Sequence, residues 1–167
     1  MRITVEDLLQ CRKYINKKRR PEFQVDQRHY KMNIGLECEL QDIKMTMFLR
    51  KLIAYPEDFT VGLRVEPPNR FADHTVVLVR FQGPHGGQSG QKDMSDLHNS
   101  YHIHLYTQED LLRHRKMASY KEKGNFGSFE QAIDEFLTYC SIEDRYGIFD
   151  DDCQKARQFT LDIEKYS

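Results

Sequence analysis

The chain has 167 residues; 39% are hydrophobic, 31% charged and 11% aromatic, Trp is absent, and the formal net charge is −1. This profile suits one globular domain, over 1–167, with a core of its own. No apolar run approaches the roughly 20 residues of a membrane-spanning helix, which excludes a helical membrane protein. The amphipathic opening "MRITVEDLLQ" does not read as a signal peptide, so a cytoplasmic location is expected.

Thr4 followed by Asp7 has the form of a capping box. Val5, Leu8, Leu9, Tyr14 and Ile15 continue at helical spacing, which predicts a helix over 4–18 that Pro21 ends. The sheet is expected over about 34–106, with residues 34–40 as its weaker member. "IKMTMFL" (43–49) and "FTVGLRV" (59–65) alternate as half-buried strands do. "EPPNR" breaks the pattern. "HTVVLVRF" (74–81) is a continuous Val-rich run and predicts a central strand covered on both faces. The polar, Gly-rich stretch 82–100 is a long loop without the G-K-[ST] ending of a P-loop.

"YHIHLY" (101–106) alternates again, and helices are expected over about 107–166. A short one starts at Thr107 and runs to about 117. Another is capped by Ser128 with Gln131, and carries Phe129, Ala132, Ile133, Phe136, Leu137 and Cys140 on one stripe. A last one begins near Asp151. Helix, strands, then helices argue for an α+β fold: an antiparallel sheet with helices packed on one face.

The four cysteines, Cys11, Cys38, Cys140 and Cys153, form no C-x-x-C pair, which excludes a zinc ribbon and predicts reduced, buried thiols. The small net charge hides an asymmetry: residues 130–167 carry −6 and the remainder +5. The basic runs are "CRKYINKKRR" (11–20) and "RHRKMASYKEK" (113–123), either of which suits a polyanion or a solvated helix end.

Five of the seven histidines lie between 74 and 104. If 101–106 is a strand, Tyr101, Ile103 and Leu105 face the core. His102, His104 and Tyr106 then face the other way, with about 6.6 Å between the two histidine Cα atoms. The Gly-rich loop returns His85 and His98 to the same neighbourhood. Imidazole exchanges protons near neutral pH. Cleavage of RNA without a metal needs a base for the 2′-hydroxyl, an acid for the departing 5′-oxygen, and a cation for the phosphorane. The histidines with Arg80, Lys116 or Lys121 supply those roles. H-x-H also suits a metal, with a third ligand from His85, His98 or Asp96, but the H-x-H-x-D-H pattern of metallo-β-lactamase-like hydrolases is absent. The two-H-x-T pattern of phosphodiesterases is absent too. Histidines on an exposed sheet face without chemistry are the remaining alternative.

"VVLVR", "GPH", "HIHLY" and, later, "FLTYCSI" (136–142) resemble an uncharacterised family of small bacterial and mobile-element proteins, over about 70–149. The resemblance implies a shared fold and a polar site at Arg80, His85, His102, His104 and Tyr106. The style is also similar to small RNase toxins of toxin–antitoxin pairs and to phage inhibitors of CRISPR systems, some of which trim the Cas9 guide RNA.

These readings predict a metal-independent endoribonuclease for structured RNA, with a guide RNA or a host transcript as target. His102 and His104 are the expected acid/base pair, with His85 as a third candidate and Tyr106 in support. Arg80, Arg113, Arg115, Lys116, Lys121, Lys17, Lys18 and Arg19 are expected to hold phosphate. RNA and Cas9 are the expected partners, with no membrane and no metal or other cofactor. The alternatives are a non-catalytic protein-binding inhibitor or antitoxin-like module, and a metal-dependent phosphoesterase using the H-x-H pair.

Overall fold

The computed structural model describes residues 3–66, 74–85 and 96–151. Thr4 and Asp7 close the expected capping box: Asp7 N–H donates to Thr4 Oγ1 at 3.1 Å, and Thr4 N–H to Asp7 Oδ2 at 2.8 Å. They start α1 (Val5–Gln10), which stops well short of residue 18. Lys13 explains the early end. It is fully buried, and its ammonium donates to the carbonyls of Leu9, Cys11 and Cys140 at 2.9, 2.8 and 2.8 Å. A buried charge persists only with its donors satisfied in this way. The chain at Lys13 is thereby drawn into β1 (Lys13–Ile15), so Tyr14 and Ile15 are strand residues rather than helical ones.

The remaining strands are β2 (Gln24–Asp26), β3 (His29–Cys38), β4 (Met45–Leu52), β5 (Phe59–Val65), β6 (Val76–Gln82), β7 (His102–Leu105), β8 (Tyr120–Lys123) and β9 (Ile142–Asp144). They form one sheet in the order β8-β7-β6-β5-β4-β3-β1-β9, with β2 on β3. All neighbours are antiparallel except β1 and β9, which run parallel. The fold is α+β, as the order of elements predicts, but the sheet reaches beyond 34–106 at both ends.

The core lies on the face that α3 (Phe129–Tyr139) covers. Ser128 caps this helix as expected, accepting from Gln131 N–H at 3.1 Å. Phe81 stacks on Phe126 at 5.0 Å and meets Phe136 edge-on at 5.2 Å, while Phe59 meets Phe129 at 5.2 Å. Rings of this size each bury more apolar area than the aliphatic side chains around them. β6 is not covered evenly on both faces, as its Val-rich run suggests. Leu78, Val79 and Phe81 are buried, but Val77, Arg80 and Gln82 lie half-buried on the opposite side.

After β7, Thr107 and Asp110 form a second capping box at α2 (Gln108–Leu112). The helix ends at Leu112 rather than near 117, because the chain turns back to form β8 beside β7. Asp110 holds that turn. Fully buried, it accepts from the Thr107 and Ser119 N–H groups at 3.0 Å each and from the Arg115 guanidinium at 3.1 Å. Burial would raise its pKa, but the hydrogen bonds from Thr107 and Ser119 outweigh that and hold it at about 2. The helix expected from Asp151, and Cys153 with it, lie outside the described residues. Among the described residues no helix is long and apolar enough to cross a membrane.

Candidate functional site: a histidine cluster on the open sheet face

Register builds the second face of the sheet. Pairing sets Lys31, Arg50, Thr60, Gln82, His102 and Lys123 in one row across β3 to β8. Asn33, Phe48, Gly62, Arg80, His104 and Lys121 form the next row. Directly paired residues share a face, so both rows point away from α3. Each spans roughly 24 Å at the usual strand spacing. Neither row contains a carboxylate. Arg50, Arg80, Lys121 and Lys123 are in no ion pair among the described residues.

His102 and His104 share this face, as their spacing predicts, with ring centroids 5.0 Å apart. They do not line an open cleft: His102 is 0% and His104 6% exposed. A second layer of imidazoles covers them. His98 comes from a one-turn 3-10 helix (Asp96–Asn99) and His85 from the chain leaving β6. The His85 ring is 4.9 Å from that of His102, and the His98 ring is 5.2 Å from His102 and 6.1 Å from His104. The His85 N–H donates to the His98 carbonyl at 3.0 Å, which ties the two chain segments together.

With one hydrogen on each ring, the hydrogen bonds fix where it sits. His85 Nδ1 and His102 Nδ1 lie 3.1 and 2.8 Å from the carbonyls of Gly83 and Ser100, so both must carry a hydrogen. Each Nε2 then presents a lone pair. His98 Nδ1 donates to His85 Nε2 at 3.0 Å, and Lys121 Nζ donates to His98 Nε2 at 3.2 Å. Arg80 reaches His104 Nδ1 at 3.4 Å, which leaves the hydrogen of His104 on Nε2. His102 Nε2 and His104 Nε2 are buried without a hydrogen-bond partner. The inner layer therefore holds one unused lone pair beside one unused N–H.

Burial is the main reason that His102 is held down at about pKa 4, although its bond to Ser100 pulls the other way. Burial and then the Arg80 charge hold His104 at about 3. Both are neutral near pH 7. Burial also lowers the pKa of Arg80.

The structure gathers only part of the predicted set. Arg80, His85, His102, His104 and Lys121 meet at the cluster. Tyr106 does not take part in it: the side chain is 1% exposed and its hydroxyl donates to the Arg115 carbonyl at 2.7 Å. It lines a separate cavity of about 440 Å³ with Val5, Leu9 and Tyr139. Arg113 pairs with Glu109 at 2.7 Å and Arg115 with Asp110 at 3.1 Å, while Lys116 is exposed on the turn before β8. Lys17, Lys18 and Arg19 follow β1, five strand spacings from β7, or roughly 24 Å along the sheet. The cations that accompany the histidines are instead Arg50 and Lys123, together with Arg80 and Lys121. His98 joins the cluster as a full member, and its place beside His102 and His104 in "HNSYHIH" is the signal that marks it.

Comparison with known protein families, curated proteins and solved structures finds no match. The chemistry of the face itself is what indicates a function.

Proposed function

We propose that this protein binds RNA along the two cation-bearing rows and cleaves it at the histidine cluster by acid–base chemistry. The observation that carries the reading is the convergence of His85, His98, His102 and His104 with Arg80 and Lys121, cations in no ion pair among the described residues, on a face whose two rows hold no carboxylate. Such a face attracts a phosphodiester and repels little. Structured RNA, a guide RNA or a host transcript, is the proposed substrate class; it draws on the histidines and cations of this face and on the similarity in style to small RNase toxins and phage inhibitors of CRISPR systems.

The outer layer meets the substrate. His98 Nε2 takes the 2′-hydroxyl proton at the position Lys121 now occupies, and the displaced ammonium moves to the phosphoryl oxygens. The bond between His98 Nδ1 and His85 Nε2 lets that pair accept one proton and return one to the leaving 5′-oxygen. His102 and His104, enclosed and neutral, hold the outer rings in place. Their enclosure also favours a second reading, binding without cleavage.

One assay tests both. End-labelled structured RNA is incubated with the protein in EDTA. Fragments ending in 2′,3′-cyclic phosphate are expected, and His98→Ala is expected to lower the rate by about 100-fold or more with an unchanged melting temperature. Intact RNA in a stable complex overturns cleavage and leaves the binding reading. Neither cutting nor a complex removes both.

A further inference from the structure

We propose that His85, His98 and His102 form a binding site for a divalent transition-metal ion of the zinc class. One nitrogen from each lies within 4.8 Å of those of the other two. Tetrahedral coordination with bonds of about 2.05 Å sets ligand nitrogens about 3.3 Å apart. His98 Nδ1 and His85 Nε2 already stand at 3.0 Å, so ring rotation has only the contacts with His102 left to close.

The orientation of the rings points the same way. Histidines that hold metals usually donate their other ring N–H to a carbonyl or carboxylate, which fixes the tautomer and aims the lone pair. His85 does this with Gly83 and His102 with Ser100. His102 Nε2 is buried and has no partner of its own. A buried lone pair without a donor costs free energy that an ion would recover. The H-x-H spacing of His102 and His104 does not supply the ligand pair. His104 directs Nδ1 at Arg80, and the group consists of His102 with two residues from outside the strand.

Donor chemistry selects the ion. Three imidazoles and no carboxylate suit zinc, cobalt, nickel or copper, whereas magnesium and calcium need oxygen ligands. Binding breaks the bond between His98 and His85 and also frees Lys121, because a His98 bound through Nε2 has no lone pair left there and one bound through Nδ1 carries its hydrogen on Nε2. The fourth position is left for water or an anion, and the nearby charges of Arg80 and Lys121 favour the anion.

For its consequence alone, the inference rests on the proposed function. The ion occupies the nitrogens that acid–base cleavage uses, so it acts as a blocker of that reaction. Zinc chloride is titrated by calorimetry into the full chain freed of metal, and cobalt chloride is followed by its visible absorption. One ion per chain with a tetrahedral cobalt spectrum is expected. Affinity falls by about tenfold or more in His98→Ala and in His85→Ala and is retained in His29→Gln, an exposed histidine at the start of β3. Absence of binding, or affinity indifferent to His98→Ala and His85→Ala, overturns the site. Melting curves of each variant separate ligand loss from unfolding. RNA cleavage in EDTA is scored independently: cleavage without zinc binding removes the metal site only, and zinc binding without cleavage removes the nuclease only. Acceleration by zinc overturns the blocking role.

Discussion

Arg80 and His104 are direct cross-strand partners, and the guanidinium reaches His104 Nδ1 at 3.4 Å. A cation facing a buried imidazole opposes its protonation. This pair and the enclosed His102 make stability depend on pH in a predictable direction. In the unfolded chain both histidines become charged below about pH 6.5, whereas in the fold His102 stays neutral down to about 4 and His104 down to about 3. Between those limits the unfolded chain binds more protons, so stability falls as pH drops from about 6.5. The limit is about 1.4 kcal/mol per pH unit for each proton. Above that window these two groups contribute no slope. Urea denaturation at a series of pH values should show the fall, and His104→Gln should make it shallower by about one proton. Equal slopes for wild type and variant would mean that His104 is solvated.

The rows across β4 to β8 predict how binding responds to salt. Arg50→Ala, Lys121→Ala and Lys123→Ala remove cations that no carboxylate neutralises among the described residues. Each should weaken binding of RNA by a similar factor whatever its sequence, and reduce the slope of log affinity against log salt by about one. Lys17→Ala, following β1 near the other end of the sheet, should leave that slope unchanged. The reverse ranking in a filter-binding series would place the RNA on the basic run 11–20 instead.

Asp110 joins α2 to the turn that brings β8 beside β7. Asp110→Ala strips the acceptor from Thr107, Ser119 and Arg115, and should destabilise the protein by about 3 kcal/mol. Thr107→Ala removes one cap bond and should cost about 1 kcal/mol. Chemical denaturation measures both. Hydrogen exchange should show β8 amides losing protection in Asp110→Ala before those of β4 or β5.

Two thiols make a separate prediction. Cys11 Sγ and Cys38 Sγ are 3.3 Å apart, beside the buried Lys13 ammonium. The hydrogen bond from Cys11, then the Leu40 N–H and the charge of Lys13, bring Cys38 down to about pKa 6, against the effect of burial. Burial holds Cys140 at about 12. Iodoacetamide at neutral pH should therefore label Cys38 well before Cys140. Diamide, taking up two electrons and two protons, should join Cys11 to Cys38, and a phosphine reductant should reverse it. Peptide mapping that finds Cys140 labelled first contradicts this assignment.

What the sequence makes legible is what it encodes locally. The Thr4–Asp7 box, the Ser128 cap, the stripe on α3 and the two-residue period that sets His102 beside His104 depend on neighbours a few positions apart. β1 and β8 were not legible because their own residues do not ask for a strand. "KYI" is held by the inward pull of Lys13 and by its parallel partner, and "YKEK" by the Asp110 turn. Nor could periodicity show that Arg50, Arg80 and Lys121 share a face, since their alignment is a matter of register between strands. That His85 and His98 return to the neighbourhood of His102 was legible; that they close over it was not. The closure requires two chain segments, one after β6 and one before β7, to close on each other through His85 and His98.

Among the described residues β8 is the outermost strand on the histidine side of the sheet, and it carries the alternating lysines Lys121 and Lys123. An unprotected border invites another chain to continue the hydrogen-bond ladder, and lysine is a common safeguard against such accretion. The lysines proposed to meet a polyanion are thus also placed to oppose pairing between copies of this protein. Neutralising both at once should trade an RNA phenotype for a solubility one, so their contributions are best separated by single exchanges to glutamine at low protein concentration.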